Sequence, residues 1–227
     1  MQSLLEQFID GMQKTSALEY IAVFTGMVSV WFSKKENILV YPVGLVNTAI
    51  YVYLSFKYHL IGEASVNLYY TVMSIYGWML WAKKDRQHKP LVHITFSSTR
   101  EKWQQAGFFA FFYVIVYASL TYLKKVFVPG AIPWADAFAS ATAYTGMWLM
   151  AKKKVESWHW WIATNMASIP LYFVKGLVFT SVLFLALLIL AFFGLAEWKE
   201  KAKRAKSGTA DERPGENQLT TSHGDAR

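Results

Sequence analysis

The sequence predicts an all-α integral membrane protein of about seven transmembrane helices, and three observations carry that expectation. Of its 227 residues, 54% are hydrophobic and 17% aromatic, above the usual share for a soluble domain. The charged residues cluster in short runs, among them Lys34-Lys35-Glu36, Lys83-Lys84-Asp85-Arg86 and Lys152-Lys153-Lys154, with long uncharged stretches between them. Those stretches approach the roughly 20 residues an α-helix needs to cross the hydrocarbon core.

Taken in order, the spans fall near 17–33, 38–56, 65–82, 104–123, 134–151, 158–174 and 177–197. None shows the strict two-residue alternation of a membrane β-barrel. Lys and Arg number sixteen in the segments on one side (34–36, 83–102, 152–154 and 199–206) and five on the other (Lys14, Lys57, Lys124, Lys125 and Lys175). By the positive-inside rule the N-terminus lies outside and the C-terminus in the cytoplasm. The same distribution accounts for the net charge of +8 without nucleic acid. Residues 1–16 read as an extracytoplasmic segment without a cleavable signal, and 199–227 as a disordered cytoplasmic tail.

A repeat divides the chain. Thr25-Gly26-Met27 recurs as Thr145-Gly146-Met147, Asn47 and Lys57 match Asn165 and Lys175, and Gly77 and Trp81 match Gly194 and Trp198. The offset drifts from 120 through 118 to 117. Residues 17–82 and 134–198 are then two three-helix repeats. The segment 83–133 holds a cytoplasmic loop, a linking fourth helix and an outer loop. An odd triplet reverses the side of the chain, and the fourth helix restores it. This 3+1+3 arrangement makes the repeats parallel and suits a carrier with one site between them.

Polar and aromatic stripes mark the candidate lining. Asn67, Tyr70, Ser74, Trp78 and Trp81 share a face of the third span; Trp158, Trp161, Asn165, Ser168 and Tyr172 share a face of the sixth; Asn47, Tyr51 and Ser55 share one in the second. An amide in lipid needs a partner, so Asn47, Asn67 and Asn165 should turn inward, toward interhelical hydrogen bonds or a polar cavity. Trp31, Trp81, Trp103, Trp134, Trp158 and Trp198 stand near span ends, where interfacial anchoring is the default. Trp161 lies deeper and suits stacking on a flat or cationic ring. Pro42 and Pro170 are expected to kink corresponding helices of the two repeats.

No carboxylate falls mid-span, and no phosphate loop or HExxH pattern is present, so neither ion coupling, ATP drive nor metal catalysis is expected. With no cysteine there is no thiolate site. The chain thus reads as a gated passive carrier that needs no cofactor; a membrane enzyme or scaffold is the competing class.

Asn67-Leu68-Tyr69-Tyr70 with Ile75-Tyr76-Gly77-Trp78-Met79-Leu80-Trp81, and Trp161-Ile162 through Ile169-Pro170-Leu171-Tyr172-Phe173 with Lys175-Gly176-Leu177, resemble the signatures of the PnuC family of nicotinamide riboside transporters. The resemblance spans about residues 17 to 200. It implies a fold similar to the SWEET sugar transporters, a homotrimer, and residence in the bacterial inner membrane. It further implies uptake of nicotinamide riboside by facilitated diffusion with alternating access, trapped by a cytoplasmic riboside kinase. Sister branches carry thiamine, riboflavin or deoxynucleosides. Asn165 stands where many relatives have an acid, and Asn67 where many have glutamine. On this reading Asn67, Tyr70, Trp78, Trp161, Asn165 and Tyr172 line the substrate site, with Trp81, Trp158 and Asn47 as second choices. Lys57 and Lys175 are expected to snorkel outward.

Overall fold

The computed structural model describes residues 3–57, 61–88, 90–123 and 131–211. These form eight α-helices: α1 (Leu4–Lys14), α2 (Ala17–Lys34), α3 (Val40–Lys57), α4 (Ile61–Ala82), α5 (Thr99–Leu123), α6 (Pro133–Ala151), α7 (Ser157–Val174) and α8 (Val178–Asp211). Helices α2 to α8 fall where the seven apolar stretches predict them. Lys89, Lys124, Lys125 and residues 212–227 lie outside the described residues.

Two helical segments correct the expected ends. The N-terminal segment contains α1, started by a capping box. The Ser3 hydroxyl accepts from the Glu6 N–H at 3.2 Å, and the Glu6 carboxylate accepts from the Ser3 N–H at 2.8 Å. Ser16 and Glu19 repeat the device at the start of α2, and the chain turns by 105° between the two helices. Phe8 and Gly11 of α1 rest on Phe179 of α8, whereas Leu4, Leu5, Ile9 and Met12 remain exposed. At the other end, α8 runs on through 199–211, which was expected to be disordered. Its Glu, Lys, Ala and Arg residues are strong helix formers, and Trp198 and Ala202 are buried.

On length and composition alone, residues Thr99–Tyr122 and Val178–Ser207 are long and apolar enough to span a bilayer. Helices α1 and α2 would pass together but for their bend. The remaining helices fall short because they carry hydroxyl, amide and aromatic-polar groups, many turned inward: Ser74, Thr142, Thr145, Thr164, Asn165 and Ser168 are all buried. Apart from two isolated bridges, the regular structure of the described residues is all α-helix.

Helix α3 packs between α2 and α4, and α7 between α6 and α8; α2 also meets α8, and α4 meets α6. Contacts recur at a constant spacing. Ser33 donates to Met150 Sδ at 2.9 Å across 117 positions. Thr25 donates to the Ile21 and Ala22 carbonyls, as Thr142 does to those of Phe138 and Ala139. Both α2 and α6 end with a left-handed residue, Glu36 (φ 60°) and Lys153 (φ 51°). After each, an N–H closes back on the helix, Asn37 on Phe32 at 2.9 Å and Lys154 on Leu149 at 3.0 Å. Tyr41–Trp81 and Trp158–Trp198 are edge-to-face pairs, each at 87°.

The register is therefore 117 throughout and does not drift. The Thr-Gly-Met identity at 120 is off by three residues, nearly a helical turn, which is why it kept the correct face. Asn47 corresponds to Thr164, and Asn165 to Thr48. Pro42 and Pro170 do not correspond. Pro42 stands in the first turn of α3, where an N–H has no partner inside the helix to lose, while Pro170 lies inside α7.

Helix α5 lies outside this pattern against α6 and α7. Phe108 stacks on Trp148 at 4.7 Å, and Gln105 accepts from the Trp160 indole at 3.2 Å. The stretch before it is tied to the α6–α7 turn: Thr95 exchanges backbone bonds with Lys153 and Val155, and Ser97 donates to Glu156.

Candidate functional site

The stripe on α7 meets the stripe on α4 and a face of α6. The Trp161 ring lies 6.3 Å from that of Tyr70, tilted by 47°. Tyr70 in turn lies 6.4 Å from Tyr144 of α6, with Tyr172 of α7 also in its electrostatic neighbourhood. Tyr69 fixes this corner by donating to the Tyr144 carbonyl at 3.0 Å and packing its ring 4.5 Å away. Tyr172 is half-buried and stacks on Phe184 at 5.1 Å.

Asn165 sits one turn beyond Trp161, 4% exposed. Its carboxamide makes no hydrogen bond among the described residues, and it is not among the atoms wholly sealed in packing. The hydroxyls of Ser74 and Ser168, 3% and 2% exposed as residues, share this condition. Buried polar groups are normally partnered, so Asn165 and Ser168, one turn apart on α7, mark a polar stretch of that helix, while Ser74 lies near Gly44 and Ser29. Asn67 is half-buried on the α4 stripe, and its carbonyl accepts from Thr71.

The other candidates do different work. Asn47 donates to the Ala22 carbonyl at 2.6 Å and fastens α3 to α2. Trp78 is 40% exposed at the edge of its stripe. Trp81 is buried, its indole donating to the Ala151 carbonyl at 3.0 Å. Trp158 is sealed against Trp198 and Gly194, where an added Cβ would lie 2.4 Å from the ring. Trp81, Trp158 and Trp198 are thus internal packing, contrary to the anchoring expected of them, whereas Trp31, Trp103 and Trp134 are exposed.

Charges close both ends. Beneath Trp81, Lys153 pairs with Glu36 at 2.8 Å and lies 4.5 Å over the Trp81 ring. Lys201 and Glu197 extend this group to Lys35. At the opposite end Lys175 is held by Asp136 at 2.6 Å, so its charge is balanced across α6 and α7 and does not simply snorkel. No group of three or more metal-ligating side chains occurs among the described residues.

Tyr144 and Gly146 escape a reading by stripes because α6 carries mostly small residues, and Tyr69 because it stands next to Tyr70 but off the α4 stripe. Ser74 and Ser168 were legible on their stripes but resemble ordinary helix serines until their partners can be counted.

Residues 16–200 match the family model described as nicotinamide mononucleotide transporter. The chain belongs to that family. Members of this transporter family are carriers, so the chain is a membrane transporter and not an enzyme. Among its relatives, the Escherichia coli nicotinamide riboside transporter PnuC is 23% identical over 85% of this chain and 90% of its own. The Neisseria mucosa transporter of the same name is 27% identical over 83% and 74%. The riboflavin/roseoflavin transporter RibM of Streptomyces davaonensis is 22% identical over 79% and 83%. A crystal structure of the vitamin B3 transporter PnuC shares the fold, with a TM-score of 0.65 over 88% of each chain at 23% identity.

Proposed function

We propose that this family member takes up nicotinamide riboside by facilitated diffusion. The observation that carries the reading is the Asn165 carboxamide, buried and without a hydrogen-bond partner among the described residues, one turn from the Trp161–Tyr70 pair. An aromatic face suits a pyridinium ring, and a free amide with nearby hydroxyls suits a carboxamide and a ribose. Two relatives named as nicotinamide riboside transporters support the substrate class.

In this reading α2 to α8 make seven crossings as two parallel triplets, α2–α4 and α6–α8, joined by α5. The constant 117-residue spacing of contacts supports it. The Lys-rich ends face the cytoplasm, leaving the N-terminus outside and the C-terminus inside, in a bacterial inner membrane. A homotrimer, and trapping by a cytoplasmic riboside kinase, complete the proposal from the family resemblance.

Calorimetric titration of purified protein with nicotinamide riboside, thiamine and riboflavin tests it. Saturable binding of the riboside alone is expected. Binding of riboflavin alone would favour the second reading, which the relative RibM supports; thiamine alone would overturn both.

A further inference from the structure

Gly146 of α6 lies directly against the indole of Trp161. A Cβ built there would stand 3.2 to 3.3 Å from Cε2, Cδ2 and Nε1 of the ring. The counterparts of these residues, 117 positions earlier, are Ser29 and Gly44, and there the sizes are reversed. Gly44 lies on α3 and a Cβ on it would meet the Ser29 hydroxyl at 3.0 Å. Where the α3 residue is glycine, α2 tolerates serine; where the α7 residue is tryptophan, the facing helix has nothing beyond its backbone.

That exchange has a geometric consequence. Tyr70 and Trp161 are only 6.3 Å apart and tilted, so a third ring cannot lie between them without a shift. Aromatic stacks hold neighbouring rings at least about 4.5 Å apart, and two successive stacks need more than the separation available. Trp161 rests on α6 at Gly146, where the tight approach leaves little room for a side chain. A methyl group there would displace the ring by a few tenths of an ångström and so alter the space it shares with Tyr70. An alanine also favours the helix more than glycine does, so the backbone has no reason of its own to keep glycine.

We infer that Gly146 is a positioning residue for the Trp161 ring, and through it sets which flat ligands the site accepts. The inference rests on the transport reading above. The test is titration of nicotinamide riboside into the full-length protein and its Gly146→Ala, Trp161→Phe and double variants. Gly107→Ala serves as control, since a Cβ there meets nothing within 4 Å. Gly146→Ala should bind about tenfold more weakly with its Tm held or raised, while Gly107→Ala binds as the parent does. In the Trp161→Phe background, where the ring is smaller, the same substitution should cost less than about twofold. An equal loss in both backgrounds, or none in either, would overturn the inference. If Gly146→Ala alone unfolds, recovery of folding in the double variant supports the contact and failure to recover overturns it. Should the parent not bind nicotinamide riboside, the proposed substrate falls, and the positioning role is judged on fluorotryptophan-labelled protein. Its Trp161 resonance, assigned by its loss in Trp161→Phe, must move in Gly146→Ala without ligand; a fixed resonance would overturn the role.

Discussion

Trp81 and Trp198 lie 6.2 Å apart, ring to ring, and each donates its indole N–H to the end of a helix in the opposite triplet. Trp81 reaches the Ala151 carbonyl at the end of α6, and Trp198 the Ser33 and Lys34 carbonyls at the end of α2. The contact is reciprocal, so it ties the Lys-rich ends of α2, α4, α6 and α8 together. Trp81→Phe and Trp198→Phe should each destabilise the protein by about 1–3 kcal/mol by stranding buried carbonyls. Because the rings touch, the double variant should deviate from additivity by at least about 0.5 kcal/mol in denaturant unfolding.

Removing Glu36 should matter far more than removing Lys201. Lys153 has a side chain only 6% exposed and depends on Glu36, whereas Lys201 is 36% exposed at 3.6 Å. Glu36→Gln is expected to cost about 1.5–3 kcal/mol and Lys201→Met less than about 1, measured by the same unfolding titration.

Two polar atoms wholly sealed in packing have no partner among the described residues, Tyr41 Oη and Trp158 Nε1, and they occupy corresponding positions 117 apart. A sealed hydroxyl without a partner opposes folding by its lost hydration. Tyr41→Phe should therefore leave thermal stability unchanged or raise it, where most core tyrosine truncations lower it. A clear fall in Tm would mean that the hydroxyl is bonded.

The Glu101–Lys154 pair at 2.8 Å ties the start of α5 to the α6–α7 turn. The Lys154 hydrogen bond, then that of the Ser98 N–H, holds the Glu101 carboxyl below its usual value. A carboxylate whose pKa is lower in the folded state adds stability above its unfolded value, and that gain disappears as pH falls through the folded one. Glu101→Gln should be less stable than the parent at neutral pH and equal to it once the pH is below the ordinary carboxylate range. A gap that persists in acid would assign the loss to packing.

In the site itself, Trp161→Ala and Asn165→Ala should each weaken riboside binding by about 1–3 kcal/mol in calorimetry. Asn47→Ala should instead lower stability, since that amide serves the Ala22 carbonyl. Unchanged affinity in both site variants would move the site elsewhere.

How much of this was legible follows from what each signal measures. Apolar run length located α2 to α8 because lipid and core both demand long uncharged stretches. It could not register α1, an eleven-residue amphipathic helix, although the Ser3–Glu6 and Ser16–Glu19 capping spacings were there to be read. Composition took 199–211 for a tail because charge is common to disordered segments and exposed helices; burial of Trp198 and Ala202 decides between them. Stripes picked out Trp161, Asn165, Tyr70 and Tyr172 as candidates, but periodicity gives a face and not what that face meets. Asn47, Trp81 and Trp158 satisfied the same pattern and turned out to face other helices. The repeat was visible at its last third, where Gly77 and Gly194 make room for Tyr41 and Trp158, whose rings in turn meet Trp81 and Trp198.

Helix α8 is a single unbroken rod of 34 residues, about 50 Å long. Near its start Phe179 carries Phe8, Gly11 and Tyr20; farther along, Trp198 and Lys201 grip the end of α2. A stiff beam held by α1 and the start of α2 near one end and by the end of α2 farther along cannot tilt at one hold without loading the other.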